Sequence, residues 1–169
     1  IDISKREFLK GLWDGTGRTR MNMELDKKKE TTAVDSGVIL SGQEMATADI
    51  ALFSRLIFLS FPKSEFTQEE KDAYQQLKKM RQPGMSHLTL QVLSFRSKVE
   101  QSFRQMYQMT FQDVMERLKD APIEDRIMIN WLSPLAILRT LESYLDVSIS
   151  YKEMLEITIE GIRNQNAEC

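Results

Sequence analysis

Five cationic residues, Arg18, Arg20, Lys27, Lys28 and Lys29, fall in one short stretch of a 169-residue chain whose formal net charge is -2. Positive charge gathered this way suits phosphate. Lysines at a tip contact a nucleic-acid backbone without reading its sequence, and the counterions they release make such binding fall steeply with salt. The same run also fits an ordinary solvated turn, in which Asp26 and Glu30 cancel part of the charge. Ser41 and Gln43 form a second group, neutral hydrogen-bonding residues in Ser41-Gly-Gln-Glu44. They follow an apolar run, and open α/β sheets place ligand contacts at the carboxyl ends of their strands. A Ser-Gly-Gln sequence equally bonds its own turn. Arg55 is the third candidate: a planar, permanently charged guanidinium after a predicted helix, suited to an anionic phosphate or to capping that helix's C-terminus.

Other chemistries have little to work with. The single cysteine, Cys169, allows no internal disulfide and no cysteine cage for zinc, and it fits a reducing, cytoplasmic setting. The single histidine, His87, reads as a surface residue at a helix start, so no metal site is expected. No apolar run approaches the roughly 18 residues a membrane span needs, and no membrane partner is expected.

The elements that must position these residues centre on two apolar runs. Gly37-Val-Ile-Leu40 leads into Ser41, and Leu56-Ile-Phe-Leu-Ser-Phe61 follows a short helix over 49–55. Unbroken apolar runs are the mark of strands covered on both faces, usually in a parallel α/β sheet. Such strands need neighbours that the chain does not supply. With Ile at position 1, this predicts that the chain is the back part of a longer polypeptide.

Upstream, Ser4 and Glu7 have capping-box spacing before a helix over 5–13 with Phe8, Leu9, Leu12 and Trp13 on its apolar side. Asp14-Gly-Thr-Gly17 breaks it, and residues 18–34 read as a β-hairpin with a basic tip. Downstream, Pro62 ends the second strand. Thr67 and Glu70 form another capping box opening a charged helix that Pro83-Gly84 stops. Further helices follow over 86–95 and beyond, with Val99, Phe103, Met106, Val114 and Leu118 at helical spacing. Ser133 and Pro134 are expected as N-cap and first helical residue. A third capping box, Ser150 to Glu153, opens a last helix with Leu155, Ile159 and Ile162 on one face. The expected organisation is an α/β fragment over 1–61, a mostly α-helical domain over 62–163 and a fraying tail over 164–169.

The order of parts resembles the second half of an AAA+ type P-loop ATPase core: a helix, a Gly-Thr-Gly-Arg turn, a basic hairpin, a strand ending in Ser41-Gly-Gln-Glu44, a short helix ending in Ser54-Arg55, and an apolar strand. Within that class it looks most like the primase-helicases of phages, plasmids and other mobile elements, related to superfamily-three helicases. The resemblance covers about the first 61 residues. It implies an ATP-dependent DNA helicase or translocase acting in replication, assembled as a homo-oligomeric ring on single-stranded DNA. It further implies Arg55 as an arginine finger, Gln43 with Ser41 as the sensor, and Arg18, Arg20, Lys27, Lys28 and Lys29 as a DNA-gripping hairpin. The chain contains neither G-x-x-x-x-G-K-[ST] nor a strand ending in paired acids. ATP and Mg are therefore implied only for a parent chain, and this segment alone holds no cofactor and hydrolyses no ATP.

Two readings from other classes stand beside it. One is a non-catalytic helical interaction or oligomerisation module, framed by a small α/β portion. The other is a P-loop ATPase with a different substrate, since fold does not determine function. Phe103, Met106, Tyr107, Met109, Phe111 and Met115 suggest core, or a docking groove for another domain. Trp131 is expected to anchor a core between two helices.

Overall fold

The computed structural model describes residues 3–16, 18–21, 29–34, 37–42, 49–61, 65–119 and 121–169. Along the chain these form α1 (Ile3–Trp13), β1 (Arg18–Met21), β2 (Lys29–Thr32), α2 (Ile50–Phe53), α3 (Gln68–Arg81), α4 (Ser86–Ser94), α5 (Arg96–Leu118), α6 (Asp125–Leu141) and α7 (Tyr151–Ala167). The architecture is helical, and among the described residues the expected α/β half of a P-loop ATPase core is absent. Residues 37–40 and 56–61, expected as the two buried core strands, form neither helix nor strand. Ile39 is 98% exposed and Phe61 86% exposed. A short apolar run carries no period, so its composition alone does not say what covers it. From the second run only Leu56 and Phe58 are half-buried, the Phe58 ring lying tilted 5.4 Å from that of Phe53.

The β-structure described is a two-stranded antiparallel ribbon where the sequence predicts a hairpin. Arg18 stands opposite Thr32, Arg20 opposite Glu30 and Met21 opposite Lys29. Its tip, residues 22–28, lies outside the described residues.

Local signals explain the helix ends. At the end of α1 the Gly15 amide donates to Leu12 O at 3.2 Å and the Thr16 amide to Gly11 O at 2.9 Å. This paired closure needs a left-handed residue, and Gly15 supplies it at φ +70°. The α3 capping box forms as the sequence predicts, Glu70 N donating to Thr67 Oγ1 (3.2 Å) and Thr67 N to Glu70 Oε2 (2.7 Å). A similar reciprocal pair joins Ser150 and Glu153 at the start of α7. Ser4 lies within α1 rather than capping it.

Pro134 is a correction. It sits inside α6, not at a helix start. Its missing N–H deprives the Asn130 carbonyl of an intrahelical partner. The apolar pattern nevertheless runs across it, with Ile127, Met128, Trp131, Leu132, Leu135 and Ala136 all buried, and that burial outweighs one lost hydrogen bond.

Two compact units divide the chain: 1–58 with 122–130 and 162–169, and 59–121 with 131–161. The first has Leu52, Phe53, Ile127, Met128 and Ile162 at its core. The second centres on Val114, Leu118, Trp131, Leu132, Leu135, Leu155 and Ile159. The expected fraying of 164–169 is not what α7 does: the helix continues to Ala167 and Gln165 is 3% exposed.

Candidate functional site

In the first unit, Arg55 follows α2 and folds back along it. Its Nη1 donates to Ala51 O at 2.6 Å, Nη2 lies 3.6 Å from Asp14 Oδ1, and the guanidinium carbon stands 5.4 Å from the centre of the Trp13 ring. The side chain is 13% exposed. This is the geometry of a C-terminal helix cap, reinforced by a carboxylate and an aromatic face. Ser41 is an exposed residue outside any helix or strand. Gln43, Lys27 and Lys28 lie outside the described residues, and Arg18, Arg20 and Lys29 are placed as backbone positions in β1 and β2. Among the described residues of this set, Arg55 has side-chain partners: a helix carbonyl, a carboxylate and an aromatic ring.

What it does gather around α2 is a pair of amide side chains that sequence reasoning passed over. The carbonyls at a helix C-terminus have no partner within the helix and need an external donor. Gln165 Nε2 donates to Phe53 O and to Leu56 O, both at 2.8 Å, and Gln165 Oε1 accepts from Phe58 N at 3.4 Å. Asn130 Nδ2 donates to Ser54 O at 3.1 Å while its Oδ1 accepts from Trp13 Nε1 at 2.7 Å. At the other end of α2, Asp49 Oδ1 accepts from Leu52 N at 3.0 Å, and Lys10 Nζ stands 3.1 Å from Asp49 Oδ2. The Lys10 ammonium first, and the Leu52 amide second, hold the Asp49 carboxyl below its ordinary pKa.

In the second unit, Asp113, Arg139 and Tyr151 close a triangle. Tyr151 OH donates to Asp113 Oδ2 at 2.7 Å, Arg139 Nη1 reaches the same oxygen at 2.8 Å, and the guanidinium carbon lies 4.6 Å from the centre of the tyrosine ring. Burial, and then the Asp113 carboxylate, push the Tyr151 hydroxyl above its ordinary pKa. A phenol held more firmly protonated is a donor that fixes α5, α6 and the start of α7, not a base. Trp131 is 5% exposed and packs against Gly161 of α7, as a core anchor between two helices should. Among the described residues, no three His, Cys, Asp or Glu side chains are grouped to hold a metal ion, and no helix is long and apolar enough to cross a membrane.

The feature with the most unspent interaction energy is in the second unit. Neither α3 nor α4 contains a buried residue. Phe66, Tyr74, Leu77, Met80, Leu88, Leu90, Val92 and Leu93 are all between 43% and 66% exposed. On α3 the apolar residues form a stripe, Ala73, Tyr74, Leu77 and Met80, at helical spacing. The spacing of these residues carries the signal, set within a helix whose other positions are mostly charged or polar. Compared with family models, curated protein sequences and solved structures, the chain matches none.

Proposed function

We propose that this chain is a non-catalytic helical interaction module that assembles with a protein partner through α3 and α4. The single observation that carries the reading is that two helices rich in large apolar residues contain no buried residue and leave each of those side chains about half-exposed. Fully burying a Leu, Met or Phe side chain is worth about 1.5–3 kcal/mol, so a half-exposed one forgoes roughly 1 kcal/mol. Eight such residues leave about 8 kcal/mol unused, as much as the whole folding free energy of many domains. Helices shorter than about 12–15 residues are marginal in isolation. At 14 and 9 residues, α3 and α4 need a surface to lie against. The motor reading drew its support from a covered parallel sheet, and the nucleic-acid reading from the hairpin tip; neither supports this proposal.

The test asks whether these faces serve the chain's own fold. Tyr74, Leu77, Leu90 and Leu93 are replaced together by glutamine, and urea unfolding is followed by tryptophan fluorescence at high dilution. Exposed positions free of structural duty change stability by less than about 0.5 kcal/mol each, so the variant should unfold within about 2 kcal/mol of the parent. A loss of about 4 kcal/mol or more would mean that the faces belong to the protein's own core, and the interaction reading would fail.

A further inference from the structure

The pattern on α3 selects its own partner. Along one stripe of the helix stand Glu70, Tyr74, Leu77 and Arg81, at i, i+4, i+7 and i+11, with Ala73 and Met80 alongside. The order is acid, apolar, apolar, base, so the stripe read backwards complements itself. Two copies laid parallel would set Glu70 against Glu70 and Arg81 against Arg81. Two copies laid antiparallel set each Glu70 against the other's Arg81 and each Tyr74 against the other's Leu77. The ends of the helix carry the same asymmetry, Glu69 and Glu70 in the first turn and Lys78, Lys79 and Arg81 in the last. An antiparallel partner therefore brings opposite charges together at both ends.

We infer that the occupant of this face is a second copy of the same chain, paired antiparallel through α3 about a two-fold axis between Tyr74 and Leu77. The inference rests on the interaction reading above and names its partner. A two-fold contact of this kind is isologous, so one self-complementary patch suffices to close it. Tyr74, Leu77 and Met80 are the large apolar residues of α3, and with about half of 150–200 Å² free on each they offer roughly 225–300 Å² of apolar surface per copy. That is less than the approximately 800 Å² per partner of a standard stable interface, so the dimer is a concentration-dependent one whose pairing direction is set by the charged ends.

The experiment is sedimentation of the full chain over a concentration series, with three variants. The parent protein should pass from a mass of 19.7 kDa to twice that value as concentration rises. Leu77→Lys, at the centre of the seam, should remain at the single-chain mass throughout. Arg81→Glu should weaken self-association roughly tenfold or more, because both end pairs become repulsive. Mixing Arg81→Glu with Glu70→Lys should restore a dimer containing one copy of each, read by native mass spectrometry. Circular dichroism of each variant reports whether α3 is retained, and a variant that has lost helix is replaced by Tyr74→Lys in the same seam. A parent protein that stays single up to about 1 mM overturns the second-copy assignment. So does a dimer indifferent to Leu77→Lys, or a mixture that does not pair. The glutamine variant of the preceding test reads monomer stability, so a monomeric parent with a stable glutamine variant fails this inference while sparing the interaction reading.

Discussion

Placing a methyl group on Gly161 probes a close contact between α7 and the Trp131 ring in the second unit. Inside a helix, alanine ordinarily surpasses glycine by about 0.8–1.0 kcal/mol, so Gly161→Ala on an open face of α7 would stabilise. Here the new Cβ would lie 2.6 Å from Trp131 Cζ2 and 2.9 Å from Cζ3, with Cη2 closer still. Carbon atoms rest at about 3.5–4.0 Å, so the ring must withdraw by about 1 Å. The ring is buried, and overpacking of this kind costs about 1–3 kcal/mol. Set against the helix propensity gained, the expected net effect is a loss of up to about 2 kcal/mol. For a chain of this size that lowers the melting temperature by up to roughly 8 °C. Urea unfolding followed by far-ultraviolet circular dichroism should show a lower midpoint with an unchanged slope. A double-mutant cycle with Trp131→Phe isolates the contact. The smaller ring leaves room for the methyl group, so Gly161→Ala should be neutral or stabilising in that background, with a coupling of about 1–3 kcal/mol. Stabilisation by the full propensity difference in the parent protein, or a cycle without coupling, would refute the packing argument.

Two further outcomes are expected in the first unit. Gln165→Leu nearly preserves volume but leaves the carbonyls of Phe53 and Leu56 short of a donor, and should cost about 2–4 kcal/mol in denaturant unfolding; an unchanged midpoint would show that the amide does not hold α2. The Asp49 carboxyl should titrate below the ordinary aspartate value when followed by NMR. Because its folded pKa is depressed, its contribution to stability is present above the unfolded pKa and is lost as pH falls through the folded one. Lys10→Met should move the midpoint upward, and an unmoved midpoint would remove Lys10 as the chief cause.

What the sequence disclosed follows from how local each signal is. Thr67 with Glu70, and Ser150 with Glu153, announce helix starts because both partners lie within one turn. Gly15 and Gly84 announce stops because their left-handed backbone conformations are what glycine readily adopts. Leu155, Ile159 and Ile162 announce a buried face by period alone, and all three are buried. The apolar runs at 37–40 and 56–61 carry composition without a period, and composition alone does not say what covers a segment. Gln165 gave no warning, since its partners lie 112 and 109 residues away and no local pattern encodes them. The same holds for Asn130 and its bond to Trp13 across 117 residues. At the candidate site, the α3 stripe was readable from residue spacing, but its exposure was not, because exposure depends on what the rest of the chain fails to place over it.

The reach of Gln165 sets an order of events during synthesis. The first unit draws its core from residues far apart in sequence, with Leu52 and Phe53 early and Ile162 late. The ribosome has released the α2 segment long before the amide that secures it exists. Until residue 165 has emerged, the Phe53 and Leu56 carbonyls have no Gln165 amide to accept from, and the early helix can only wait. Closure across so many residues is slow by nature, which places the commitment of this unit after residue 165 has left the ribosome.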